Sequence, residues 1–241
     1  MPTLLLVRHG RTAANAGGVL AGRTPGVDLD DTGRAQVSAL AERMSPLPLA
    51  SLVTSPLERC RQTADVLAAT GGTAKVPRTD PVVDERLSEC NYGDWTGRTL
   101  KALASEAMWA VVQAHPSAAA FPGGETLRNV QSRAVDAVRE HDARIAADHG
   151  ESAVWALVSH GDVIKALLAD ALGMHLDAFQ RIAVDPCSVS IVSYTPLRPF
   201  VLRSNDTGGD LTAYMADSRK DRRRRKRSSD AAVGGGSGPA T

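Results

Sequence analysis

Two short apolar runs in this chain each end in a histidine followed by glycine. Thr3-Leu4-Leu5-Leu6-Val7 delivers Arg8-His9-Gly10, and Ala153-Val154-Trp155-Ala156-Leu157-Val158 delivers Ser159-His160-Gly161. Continuous apolar runs of this length read as strands buried on both faces of an α/β sheet. Ligands in such sheets bind beyond the carboxyl ends of the strands, where glycine allows another group to approach the backbone closely. The two runs therefore predict one pocket holding two imidazoles.

A third segment has the same shape. Ser51-Leu52-Val53-Thr54 reads as a strand, Ser55-Pro56 as a helix start, and Arg59 falls about one turn into that helix, facing the same end of the sheet. Arg8 and Arg59 with His9 and His160 form a cationic cradle. Planar guanidinium groups hold phosphate oxygens in bidentate fashion, so the natural guest is a phosphoryl group. The plainer reading makes each histidine a hydrogen-bonded core residue, but two of the six histidines at equivalent strand ends, with arginines in register, argue against it.

Taken in order, these residues resemble the histidine phosphatase superfamily, also called the phosphoglycerate mutase-like family. The resemblance rests on Arg8-His9-Gly10, Thr12 and Asn15, on Ser55-Pro56 with Arg59 and Gln62-Thr63-Ala64, and on Leu87-Ser88-Glu89 with Gly93, Trp95 and Gly97. Gly123-Gly124-Glu125 and Ser159-His160-Gly161 complete it, so that it spans most of residues 3 to 203. The fold it implies is a three-layer α/β/α sandwich around a mostly parallel central sheet.

The activity implied is that of a histidine acid phosphatase-type phosphomonoesterase that needs neither metal nor cofactor. A neutral imidazole attacks phosphorus without a strong base, and by resemblance His9 is that nucleophile. Arg8, Arg59 and His160 would hold the equatorial oxygens of the transferring group. Glu89, in its family-like context, is the candidate acid for the leaving alkoxide. Glu85 reads as a surface charge paired with Arg86, and Asp84 and Asp94 are weaker substitutes. Thr12, Asn15 and Gly161 belong to the phosphate end, and Arg23 is expected to reach the rest of the substrate. Arg11 occupies a position where many members carry glutamate or glutamine.

Between these pieces, strand and helix alternate. Asp31 or Thr32 caps a helix from Gly33 to about Met44, Pro56 opens one to about Ala69, and Gly161 opens one ending near Leu172-Gly173. Thr126 to Asp148 is a longer amphipathic stretch, and Ser188 to Tyr194 and Phe200 to Arg203 read as the last strands. The segment Leu100 to Phe121 falls where the superfamily carries its specificity-shaping insertion. Here it is short, which exposes a phosphohistidine to water and favours a phosphatase over a phosphoglycerate mutase or other phosphomutase.

At 241 residues with 43% hydrophobic content, one large catalytic domain is sufficient, assigned to residues 1–205. Residues 206–241 read as a disordered tail: Arg219 to Arg227 holds eight cations and one aspartate, followed by a Gly/Ser-rich end. This run could contact polyanions such as nucleic acid or an anionic membrane, but its composition fits a solvated tail better. No leader and no run of membrane-spanning length is present, so a cytoplasmic enzyme without membrane insertion is expected. The partner implied is a phosphorylated small-molecule substrate, and relatives of this kind are commonly homodimers. Cys60, Cys90 and Cys187 fit neither a zinc site nor a disulfide framework and read as small buried residues.

Other chemistries fit less well. Asp28-Leu29-Asp30-Asp31-Thr32 matches the pattern of magnesium-dependent aspartyl phosphatases, yet it follows a turn rather than an apolar strand, so helix capping explains it better. No cysteine is followed six positions later by arginine, which removes a cysteine phosphatase. A non-catalytic phosphate-binding module would usually have lost the nucleophile or the acid, and both are here.

Overall fold

The computed structural model describes residues 2–70 and 80–208. Among these residues, strands β1 (Thr3–Arg8), β2 (Leu49–Thr54), β3 (Pro81–Val83), β4 (Val154–Ser159), β5 (Val189–Tyr194) and β6 (Pro199–Asp206) form one sheet in the order β3-β2-β4-β1-β5-β6. The two apolar runs are thus neighbours at its centre. They pair in parallel with Arg8 opposite Ser159, so His9 and His160 leave adjacent strands at the same level.

The sheet is mixed. It is parallel over β3, β2, β4 and β1, while β5 pairs antiparallel with both β1 and β6. Among the described strands β5 alone runs against the others, so the sheet is mostly parallel as expected; only a short turn separates β5 from β6, and antiparallel neighbours need no crossover helix. Within the strands, alternate residues serve opposite faces. Leu4, Leu6, Trp155 and Leu157 join one apolar core, while Leu5, Val7, Ala156 and Val158 join the other.

Helices cover both faces, giving the three layers. The helices are α1 (Ala13–Ala16), α2 (Asp31–Met44), α3 (Glu58–Thr70), α4 (Leu100–Leu103), α5 (Ala107–Ala114), α6 (Leu127–His149) and α7 (Gly161–Ala171). Val37, Leu40, Ala64 and Leu67 of α2 and α3 pack on one face. Val130, Ala134, Val138, Ile164 and Leu167 of α6 and α7 pack on the other. The long helix α6 starts where expected, with Thr126 accepting from the Asn129 amide at its first turn.

Three boundaries differ from the sequence reading. The cap of α2 is Asp30, which accepts from Gly33 N at 2.7 Å, whereas Thr32 Oγ1 instead accepts from Arg11 Nη2. Helix α3 begins at Glu58 rather than Pro56, since Ser55, Pro56 and Leu57 form its entry turn. Strand β6 runs to Asp206, three residues beyond the expected Arg203. No helix among the described residues is long and apolar enough to cross a membrane. The basic run of the C-terminal tail lies outside the described residues.

Candidate active site

At the carboxyl end of the central strands, the rings of His9 and His160 meet edge to face, with centroids 5.3 Å apart. His9 is nearly inaccessible and its Nδ1 lies 2.7 Å from its neighbour's carbonyl, Gly10 O. That contact requires a proton on Nδ1, which leaves the lone pair on Nε2. Burial, then the charges of Arg59 and Arg8, hold the His9 pKa well below 6.5, so the ring is neutral at physiological pH. The turn after β1 is possible only without side chains: a Cβ on Gly10 would lie 2.7 Å from Val37, and one on Gly33 2.0 Å from Arg11 O.

Arg59 reaches the same place from the first turn of α3. It is buried, donates from Nε to His9 Nε2 at 3.2 Å, and directs Nη2 to Gly22 O at 2.8 Å and His160 Nδ1 at 3.2 Å. Arg8 donates from Nη1 to Val184 O at 2.6 Å. Among the described residues, Arg8 Nε and Arg59 Nη1 are buried donors without a hydrogen-bond partner. Leaving such groups unpaired costs about 1–3 kcal/mol or more each, and an oxyanion at this point would satisfy both. The N-terminus of α7 adds to the field: Gly161 lines the pocket, and its Cα side faces the Arg8 guanidinium.

Glu89 lines the same pocket from the segment after β3. It is buried and accepts from Cys90 N at 2.9 Å. Burial, reinforced by the charge of Asp162, raises its pKa to about 7, so a large share of it is a carboxylic acid at neutral pH. The segment is tied down from several sides. Ser159 Oγ donates to Leu87 O at 2.8 Å, Arg133 Nη1 to Arg86 O at 2.5 Å, and Arg23 Nε to Glu89 O at 2.8 Å. Glu125 serves both arginines, accepting from Arg23 and Arg133 at 2.9 and 2.8 Å. The turn before it is interlocked with this segment, because a Cβ on Gly124 would lie 2.2 Å from Asn91 O.

The remaining sequence-predicted residues fall into three groups. Thr12 and Asn15 line the pocket as a capping box: Asn15 Oδ1 accepts from Thr12 N and Oγ1, which leaves the Asn15 amide nitrogen for another partner. Arg23 departs from its expected direction, since its fork is engaged by Glu89 O and Glu125. Arg11 turns away to Asp30 and Thr32. Arg86 pairs with Asp84 and Glu140 rather than with Glu85, and Asp84 also accepts from His141, so Asp84 has no role at the pocket. Asp28 accepts from Gln62, and Asp30, rather than the expected Asp31 or Thr32, caps α2.

The cavity around these groups has a volume of about 470 Å³ and is roofed by Leu100, Trp109, Val112 and Phe121 of the short insertion. The sequence model of the histidine phosphatase superfamily (branch 1) matches residues 4–207. The chain belongs to that superfamily.

Among its relatives, this histidine phosphatase superfamily member is 34% identical over 178 residues to a glucosyl-3-phosphoglycerate phosphatase of Mycolicibacterium vanbaalenii, covering 72% of this chain and 76% of that one. It is 30% identical over 197 residues to a probable phosphoglycerate mutase, GpmB, of Cronobacter sakazakii, covering 80% and 86%. Its fold matches a mycobacterial glucosyl-3-phosphoglycerate phosphatase solved with VO3, at a TM-score of 0.73 and 27% identity over 85% of this chain and 98% of that one. Bacillus stearothermophilus YhfR matches at 0.74 and 29%, over 86% and 98%.

Some residues of this superfamily member's site escaped the sequence reading. Ser55 Oγ lies 2.8 Å from His160 Nε2 and fixes that ring. Asp162 accepts from the Tyr92 hydroxyl at 2.7 Å and adds to the effect of burial in raising the proton affinity of Glu89. Cys60, whose thiol burial pushes up to about 12, packs its sulfur 3.4 Å from His160 Nε2. Ser55 stood within a motif and Asp162 beside one, which was the available signal. Their partners lie 105 and 70 residues away, and local pattern carries no information about that pairing.

Proposed function

We propose that this protein hydrolyses a phosphate monoester of a small molecule through a phosphohistidine on His9. The observation that carries this reading is the pair of buried, unpartnered donors, Arg8 Nε and Arg59 Nη1, beside the His9 Nε2 lone pair. An incoming phosphoryl group takes those donors, together with His160, the Gly161 amide and the Asn15 amide, and Nε2 attacks phosphorus in line with the ester oxygen. The P–N bond forms as the P–O bond breaks, with charge spread over oxygens that the guanidinium groups neutralise.

Glu89 gives its proton to the departing alkoxide. Once the alcohol leaves, the resulting carboxylate takes a proton from water as that water attacks phosphorus, and the P–N bond breaks to release inorganic phosphate. Thr12 holds Asn15 in place, and Arg23 acts on Glu89 through the backbone rather than on substrate. A neutral nucleophile with a low pKa and an acid with a raised one define an acid-to-neutral optimum, in keeping with an acid phosphatase-type enzyme.

The test is chemical trapping. Rapid quenching in alkali of a reaction with a 32P-labelled monoester in EDTA should leave an acid-labile, base-stable label on the protein, absent from His9→Ala. Phosphate release without such a label would overturn the mechanism. The mutase names of some relatives supply a second reading, in which the phosphoryl group passes to another substrate hydroxyl. The short insertion over the pocket favours water as acceptor, and interconversion of 3- and 2-phosphoglycerate by the purified protein would favour the mutase.

A further inference from the structure

The part of the cavity beyond the phosphoryl cradle differs from the cradle in kind. Val19, Leu20, Leu100, Trp109, Val112 and Phe121 line it, with Gln113, Gln180 and Tyr92 as neutral polar members. Trp109 is backed by Trp95, stacked at 6.2 Å with 27° between ring planes, and Phe121 meets Trp95 edge-on at 5.4 Å, so this wall is a braced aromatic surface.

Charge tells the same story. Among the described residues three cations line the cavity: Arg8 and Arg59 in the cradle, and Lys165 outside it. Lys165 is engaged already, with Nζ 3.2 Å from Gln180 Oε1, 3.7 Å from Asp162 Oδ1 and over the Phe179 ring at 5.6 Å. The arginines nearest the mouth in sequence face elsewhere: Arg11 to Asp30, Arg23 to Glu125, Arg98 to Glu106. A second anionic group on the substrate would meet Asp162 and one lysine already balanced by it. An apolar group would meet a wall where each buried methylene favours binding.

Resting on the phosphatase reading above, we infer that the cavity selects monoesters of a compact, largely apolar alcohol that lacks a second anionic group. Trp109 and Leu100 are the residues that read the alcohol.

The experiment compares kcat/KM for alkyl monoesters whose alkoxides leave with similar difficulty: 3-phenylpropyl phosphate against glycerol 3-phosphate and 3-phosphoglycerate. The full-length protein should prefer the phenylpropyl ester by about tenfold or more, in line with discrimination by a hydrophobic pocket. Trp109→Ala should narrow that preference. So should Leu100→Gln, at a surface position whose change leaves the core intact. Equal or faster turnover of 3-phosphoglycerate, or variants that slow all three esters alike, would overturn the inference. Calorimetric binding of 3-phenylpropylphosphonate and 3-phosphonopropionate reads the same preference without turnover. Preferential binding of the former with no ester hydrolysed would sink the phosphatase reading and keep this one, and equal binding would sink this one.

Discussion

Arg59 donates from Nε to Nε2 of His9 at 3.2 Å, so the atom proposed to attack phosphorus is held in place by a group proposed to bind the phosphoryl oxygens. That guanidinium orients the His9 ring and, after burial, helps to lower its proton affinity. Replacing His9 with alanine removes the attacking atom and should reduce turnover by at least about a thousandfold. Circular dichroism and the unfolding midpoint should stay near those of the parent, which separates loss of chemistry from loss of fold.

Glu89→Gln retains shape and loses the transferable proton. Alkyl monoesters, whose leaving groups need that proton, should slow by roughly 10²- to 10⁴-fold. p-Nitrophenyl phosphate, whose anion leaves unaided, should slow far less in its first step. A single-turnover comparison of the two ester classes checks this, and equal slowing would remove Glu89 from the role of acid.

The pH profile follows from two opposite shifts. His9 stays neutral to well below pH 6.5, so activity should persist on the acidic side where an ordinary histidine would be protonated. Glu89 loses its proton as pH rises through about 7, and hydrolysis of alkyl esters should fall there. Asp162→Asn removes a like charge that raises Glu89, so the basic limb of kcat/KM should move to lower pH. A limb that does not move, or moves upward, would contradict the coupling.

The same shift affects stability. In the unfolded chain Glu89 titrates near 4.5 and in the fold near 7, so the folded state holds the proton more tightly and loses this advantage as pH rises between those values. Glu89→Gln should therefore stabilise the protein at pH 8 by roughly 1–3 kcal/mol relative to its effect at pH 4.5. Urea denaturation at the two pH values measures this.

Arg133 is absent from the pocket lining, yet it bonds to Arg86 O, Glu89 O and Glu125 around the segment that carries Glu89. Arg133→Gln should lower kcat for alkyl esters by roughly 10- to 100-fold through misplacement of Glu89. Activated aryl esters should lose much less. Arg133→Lys should restore part of the loss, and uniform slowing of both ester classes would reduce Arg133 to a general structural role.

The residues that the sequence disclosed are those whose position follows from local rules. His9 and His160 were legible because an unbroken apolar run followed by histidine and glycine places the imidazole just past a buried strand, and Arg59 because a strand and a proline-marked helix entry precede it by a fixed distance. Arg23 and Arg11 were misread or left open because a loop arginine takes whichever acceptor the tertiary fold brings near. For Arg23 that acceptor is Glu125, 102 residues away, and for Arg11 it is Asp30 across the α2 entry. The antiparallel direction of β5 was likewise hidden, since its apolar residues fit a parallel strand equally well.

Arg8 faces Ser159 across the central strand pair, and this alignment has a consequence for how such a protein changes over time. A slip of one residue in either strand would send one imidazole to the opposite side of the sheet. The paired imidazoles thus depend on the ladder of backbone bonds, whereas the lining contributed by residues 100 to 121 stands outside the sheet, so a substitution there leaves the register that joins His9 to His160 untouched.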